Sequence, residues 1–259
     1  MINFFRKFRY HLMDKNKTDT PSYRPGRYIK YAMGEIVLVV IGILIALSIN
    51  NWNTERNNLQ QAKQHLSTIN LNLLDDVAQA EMLLAETDSA MKFSSIFLDQ
   101  FKTKIPPDNN IQKYLIYLMY ERNIEVNDSG IGALLNSNGL SYIEENLQTK
   151  ILEYYRHIEQ LESREINANA EIKTMFEPYV KENYYWIYNK TNPWPSQANF
   201  YVDDPRPVDN IDLASVIADK RLEIMVNGRR YQAIRLAQFY SKTILLAKEI
   251  ISVIENGQS

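Results

Sequence analysis

From Tyr31 to Ile49 the only charged side chain is Glu35, and the run from Ile36 to Ile49 (IVLVVIGILIALSI) is otherwise aliphatic or small. A helix of that length rises about 1.5 Å per residue and just covers the roughly 30 Å of a bilayer's hydrocarbon. Its eleven aliphatic side chains favour insertion by about −3 to −7 kcal/mol. Glu35 does not cancel this, because the penalty for a charge is largest at mid-membrane and fades toward the headgroups, where Glu35 lies. No partner acid for a proton relay exists within the span. The sequence therefore predicts a membrane helix over 31–52, bounded by Tyr28, Tyr31 and Trp52 as interfacial aromatics.

The flanks set the orientation. Residues 1–30 carry Arg6, Lys7, Arg9, Lys15, Lys17, Arg24, Arg27 and Lys30 against Asp14 and Asp19, so the positive-inside rule places this arm in the cytoplasm and everything after Trp52 outside. A cleaved signal peptide is the competing reading, with Ala46-Leu47-Ser48 as the cut. The basic region before the apolar run is too long for the usual signal, and that run continues through Ile49. At the start, Met1, Phe5, Phe8 and Leu12 share one helical face and Arg6, Lys7 and Arg9 lie largely off it. This is the pattern of a short helix in the headgroup layer, with docking to a partner as the alternative.

The remainder is long enough for one sizeable core or two small ones, with one domain expected, and 23% charged with 45% hydrophobic residues overall is ordinary for a globular chain. The net charge of −2 hides a segregation: the arm is about +6 and the rest about −8, which argues against nucleic acid as a partner. No cysteine is present, so disulfides and thiol chemistry are excluded. Eight glycines and clustered prolines suit long helices better than a many-turned β fold.

Leu59, Ala62, Leu66, Ile69, Leu73, Asp76, Ala80, Leu83, Thr87 and Ala90 follow a heptad spacing. The membrane helix is expected to run on into this one and to end before Ile105-Pro106-Pro107. A buried helix is expected over Ile111 to Arg122, and a short capped one from Asp128 or Ser129 to a left-handed stop at Gly139. Leu147, Ile151, Tyr154, Ile158, Leu161, Glu165, Ala168, Ile172, Met175 and Tyr179 form a second seam. An irregular crossover holding Pro193, Pro195, Pro205 and Pro207 leads to two last helices, Asp212 to Met225 and Gly228 to Asn256. Ala233, Ala237, Tyr240, Ile244, Ala247, Ile251 and Ile254 give the third seam. The fold class is all-α: an N-terminal transmembrane helix continuing into an elongated antiparallel helical bundle over 53–256.

The run from Gly34 to Asn53 (GEIVLVVIGILIALSINNWN), with Phe4-Phe5-Arg6-Lys7 before it, resembles a family of uncharacterised single-pass membrane proteins of Gram-negative bacteria. The likeness is strongest over 1–60 and diffuse around Asp128-Ser-Gly, Leu134-Leu135 and Tyr154-Tyr155. It implies an inner-membrane protein with a helical periplasmic domain and adds no chemistry.

Catalysis needs convergent groups, and the three histidines, His11, His65 and His157, offer little. Glu153 and His157 are spaced as a helical ion pair; the Glu-x-x-His of a di-metal bundle is absent. Gly130-x-Gly132 lacks the third glycine of a dinucleotide site. No catalytic residue, metal ligand or cofactor is expected. Asp76 and Glu165 fall on apolar seams where an unpaired carboxylate costs several kcal/mol. Either the seams shift so that Val77 and Ile166 are buried instead, or the two form a polar layer with an arginine such as Arg164 or Arg235. Gly34, Gly42 and Ala46 form a small-residue stripe suited to membrane-helix packing and self-association. Tyr184, Tyr185, Trp186 and Trp194 are either an interaction surface or the packing under a long loop. The expected role is a non-enzymatic interaction or scaffold module, with the lipid bilayer and an envelope protein, or a second copy, as partners. The alternative is a ligand-sensing bundle, disfavoured because neither a second span nor an output domain follows the bundle.

Overall fold

A computed structural model of the chain describes residues 25–105, 110–188 and 212–257, with positions 203, 205 and 207. The basic arm up to Arg24, Pro106-Pro107, and Trp194, Phe200 and Tyr201 lie outside the described residues. Every regular element among the described residues is helical. The chain divides into two compact units, Met1–Asn57 and Asn58–Ser259.

Helix α1, Pro25–Thr103, is continuous, and ends ahead of Pro106 with Lys104 in the left-handed region at φ 58°. Within the second unit its predicted seam is buried from Ala62 through Ile69, Leu73, Asp76, Ala80, Leu83 and Thr87 to Ala90, whereas Leu59 is exposed. The chain then returns along α1. Phe93 stacks on Tyr114 of α2 (Ile111–Met119), Arg122 donates to the Glu86 carbonyl at 3.3 Å, and Asn72 donates to Ser129 of α3 (Ser129–Asn136) at 3.4 Å. After a 3₁₀ turn, Gly139–Tyr142, that meets Asn58 through the Tyr142 hydroxyl, α4 (Glu145–Glu171) runs beside α1 in the direction of α1 again, with Tyr154 reaching Asp76. A long final helix, Lys220–Gly257, comes back: Arg230 reaches Ser95, Lys248 reaches Glu81, and Lys150 of α4 reaches Glu249. The up-and-down order thus holds over four limbs, the second of which is α2, an extended stretch and α3.

Two apolar clusters hold this unit together. One gathers Ile69, Leu73, Leu134, Ile151, Tyr154, Leu161, Tyr240 and Ala247, and the other Phe97, Phe101, Leu115, Phe176, Val180, Trp186, Ile187 and Leu222.

Several local expectations need correction. The helix from Ile111 stops at Met119 rather than Arg122, because Tyr120 turns to extended geometry (ψ 123°). Cap duty at α3 falls to Asn127, whose Oδ1 accepts from the Ser129 amide, and the left-handed residue is Asn138 at φ 54°, not Gly139. The α4 seam slips by one residue at a π turn, Ile172–Phe176, so that Phe176 and Val180 are buried while Met175 is 58% exposed. Pro178 near the start of α5 (Glu177–Asn183) has no N–H to return to the preceding turn, and the wider turn relieves its ring. The break between the last two helices falls at Asp219, not near Gly228. Asp212 caps α6 (Leu213–Ala218) as expected, accepting from Ala214 and Ser215, and Asp219 caps α7 (Lys220–Gly257) by accepting from Arg221 and Leu222.

At Gly130 α3 approaches α1 closely: a Cβ there would lie 2.8 Å from Ile69 Cγ1 and 2.9 Å from the Ile69 amide nitrogen. Helix propensity alone favours alanine over glycine by about 1 kcal/mol. Overpacking against backbone costs about 1–3 kcal/mol and wins. Gly130→Ala should therefore lower the melting temperature of the full-length protein in mild detergent, followed by circular dichroism; an unchanged or raised value would refute the close contact.

Candidate functional site

Three groups of residues stand out: the apolar part of α1, a buried polar belt, and an aromatic corner. In the first unit the aliphatic side chains from Ile36 to Ile49 are all between 40 and 62% exposed. This part of α1 is long and apolar enough to cross a membrane, and none of it is buried within the protein. A bilayer is the medium in which such a surface is stable. Gly34 and Gly42 have open space where a Cβ would stand, and Ala46 is exposed beside them on the same helix. At its C-terminal end Arg56 lies over the Trp52 ring, 5.7 Å from its centroid.

The second group explains the seam carboxylates. Asp76 and Glu165 are themselves buried, at 0 and 2% exposure, while Ile166 is 66% exposed, so the Glu165 seam does not shift. Their partners are tyrosines rather than the expected arginines. Tyr154 donates to Asp76 Oδ2 at 2.8 Å, and Tyr240 donates to Glu165 Oε1 at 2.7 Å. Arg164 instead engages Gln232, and Arg235 engages Gln238.

What these groups serve is the extended stretch between Tyr120 and Asp128. Its residues alternate in burial, with Arg122 and Ile124 inward and Glu121, Asn123 and Glu125 outward, as in a β-strand. With no neighbouring strand among the described residues, its peptide groups find side chains. Asn169 accepts from the Arg122 amide and donates to the Arg122 carbonyl, Glu165 accepts from the Ile124 amide at 3.1 Å, and Gln79 both accepts from and donates to the backbone of Glu125. Arg122 and Arg229, 3 and 4% exposed, complete the belt. Arg229 donates to the carbonyls of Leu118 and Ala168, and Arg122 donates to those of Tyr120 and Glu86. Two cations thereby meet the carbonyl end of α2, where the helix dipole favours them. Burial lowers the Arg229 pKa to about 10, opposed by Glu171 and aided by Arg122.

At the third group, Asp219 Oδ2 accepts from the Tyr179 hydroxyl at 2.6 Å and the Tyr184 hydroxyl at 2.5 Å, with the Arg221 guanidinium 4.6 Å from the Tyr179 ring centroid. Burial pushes the Asp219 pKa up, but these hydroxyls and two backbone amides outweigh it and hold the carboxyl below its ordinary value. Tyr184 and Trp186 are core residues, which fits packing rather than an interaction surface, the two readings their sequence left open. Tyr185 is 63% exposed, and Trp194 lies outside the described residues. His157 is buried, stacked on Phe239, and its Nε2 lies 3.1 Å from Thr243 Oγ1 and 3.2 Å from the Phe239 carbonyl. Among the described residues no three His, Cys, Asp or Glu side chains converge as metal ligands would.

Burial raises the Glu165 carboxyl from 4.5 to about 7, and Asp76 from 3.8 to about 6; the hydrogen bonds from Tyr240, Ile124 and Tyr154 oppose the shift without cancelling it. Between the unfolded and folded values the folded protein holds protons that the unfolded chain releases. Stability therefore falls as pH rises through that window, by roughly 3 kcal/mol for each group. Denaturation of the full-length protein in detergent should show a midpoint that drops from pH 5 to pH 8. Glu165→Gln and Asp76→Asn should each flatten this dependence, and an unchanged slope in both would show that the carboxylates do not set it.

Residues 35–162 match a family of unknown function (DUF6090), a stretch that includes Asp76 and Tyr154 but stops short of Glu165 and Tyr240. No curated protein and no solved structure matches the chain. Over the matched stretch, then, the chain is similar to an uncharacterised domain family.

Proposed function

We propose that this protein is a membrane-anchored helical interaction module: α1 crosses the inner membrane of a Gram-negative cell, the basic arm faces the cytoplasm, and the second unit stands in the periplasm. The observation that carries the reading is the unburied aliphatic surface from Ile36 to Ile49 on the same helix that supplies the seam of the bundle. The charge asymmetry across that surface favours the stated orientation. The role is non-enzymatic. It rests on a bundle whose buried titratable groups are engaged inside the fold: Asp76 and Glu165 with tyrosines, His157 with Thr243 and Phe239, Arg229 with backbone carbonyls. Such groups support a rigid platform for another envelope protein better than they support turnover.

Alkaline phosphatase fused after Gly257 should be active in intact cells, and the chain should resist carbonate extraction and retain Met1. Crosslinking of intact cells should capture the chain in a complex. A fusion active only as a cytosolic reporter, or a mature chain starting near Ile49, would overturn the address. Recovery of monomer alone would overturn the interaction role, and a small molecule that raises the melting temperature would favour sensing.

A further inference from the structure

The core seam of α1 has a counterpart on the opposite side. Leu71, Leu74, Ala78, Met82 and Ala85 recur at three- and four-residue steps and are all exposed, Leu71 at 64%, Leu74 at 47% and Met82 at 58%. They form an apolar stripe about 21 Å long at the usual helical rise, in the second unit. The core of this unit uses Ile69, Leu73, Asp76, Ala80 and Leu83, roughly half a turn away. Among the described residues of the second unit, nothing covers the stripe.

Charge decides what can cover it. From Gln64 to Met91 α1 contains no lysine or arginine, whereas Asp75, Glu81, Glu86 and Asp88 border the stripe. Three of these acids already have a partner: Gln79 donates to Asp75, Lys248 pairs with Glu81, and Arg122 lies 3.7 Å from Glu86. Asp75, Glu81 and Asp88 are nevertheless exposed, and Glu86 is half-buried beside its buried partner Arg122, its side chain 45% exposed. A second copy laid on this face, parallel or antiparallel, would set acids against acids along the whole contact, the arrangement that flanking charges use to forbid pairing. A helix with lysine or arginine beside its own apolar seam would find complementary charge on both sides.

We propose that the outward face of α1 from Leu71 to Ala85 docks an amphipathic helix of a different protein, with aliphatic residues at heptad spacing and basic residues along both flanks. The proposal deepens the interaction reading above and rests on it, naming the surface and the chemistry of the partner.

The test uses the full-length chain in nanodiscs of zwitterionic lipid and two fluorescent synthetic helices of about 20 residues with the same leucine seam, one flanked by lysine and one by glutamate. Fluorescence anisotropy, with empty discs as the blank, should show the lysine helix binding at least about tenfold more tightly and weakening with salt. Leu71→Glu and Met82→Glu should each weaken it about tenfold or more with circular dichroism unchanged. Leu152→Glu, at an exposed position on α4, should leave binding intact. Equal binding of both helices, or binding indifferent to Met82→Glu, would overturn the proposal. So would Ala78→Cys, the sole cysteine in the chain, giving disulfide-linked homodimers in high yield in intact cells. If cell crosslinking still captures a complex when these arms fail, the interaction reading stands and only the surface is wrong.

Discussion

Everything in the second unit is arranged around one obligation: an extended backbone buried among helices must still have its N–H and C=O groups bonded. A helix satisfies them internally and a strand satisfies them through its neighbour, but residues 120–128 are neither. An unmet backbone group in such a place costs about 1–3 kcal/mol, and two or three would consume much of a domain's net stability. The solution is side chains shaped like peptide groups. The carboxamides of Asn169 and Gln79 each present a donor and an acceptor to one residue of the stretch, as a partner strand would, and Glu165 supplies a further acceptor. This is why a carboxylate sits on an otherwise apolar seam.

The same demand accounts for the belt between the two apolar clusters. Arg229 bonds Leu118, which belongs to one cluster, and Ala168, which belongs to the other. Guanidinium suits this place better than ammonium, because its planar fork reaches two carbonyls at once and it is more weakly hydrated, so burial costs less. Glu86 lies 3.7 Å from Arg122 and Glu171 accepts from Gln232, so negative charge stands near the buried cations without every pair being in direct contact. The belt joins the clusters through hydrogen bonds of defined direction, which fixes the register of α4 against α7 more tightly than apolar contact alone would.

Much of this fold is legible in the sequence, because heptad spacing reports directly which face a helix buries. The seam of α1 from Ala62 onward and the start of α4 follow from it, as does most of the α7 seam, where Leu236 and Thr243 are buried in place of Ala237 and Ile244, and Asp212 is recognisable as a cap. The extended limb escapes such reasoning, although its signal is present: Glu121, Arg122, Asn123, Ile124, Glu125, Val126 and Asn127 alternate polar outward and larger groups inward. Arginine disguises the alternation, since a buried arginine is rare and reads as solvent-facing. The π turn cannot be seen by counting, since one extra residue shifts the later seam from Met175 to Phe176 without changing composition. Pro178 two residues on is the clue. Asp219 is hidden because Lys220 and the apolar residues after it continue a helical pattern; the break shows in its extended backbone (ψ 99°) and in the amides of Arg221 and Leu222 that its carboxylate caps.

The partners of Asp76 and Glu165 illustrate the limit of seam reasoning in another way. Charge alone suggests an arginine for each buried acid, yet an ion pair is worth little after desolvation unless its geometry is ideal. A tyrosine hydroxyl gives up far less hydration than a guanidinium and brings a large apolar ring that packs in the cluster around it. Tyr154 and Tyr240 are both 0% exposed and are among the largest fully buried side chains, so each fills core volume while its oxygen serves the acid. The cost is that the carboxyls are incompletely compensated and hold their protons to higher pH, and the phenols become correspondingly reluctant to ionise. Substituting an arginine for either tyrosine would restore charge balance but forfeit that packing, and in a bundle without disulfides the lost packing outweighs the recovered charge balance.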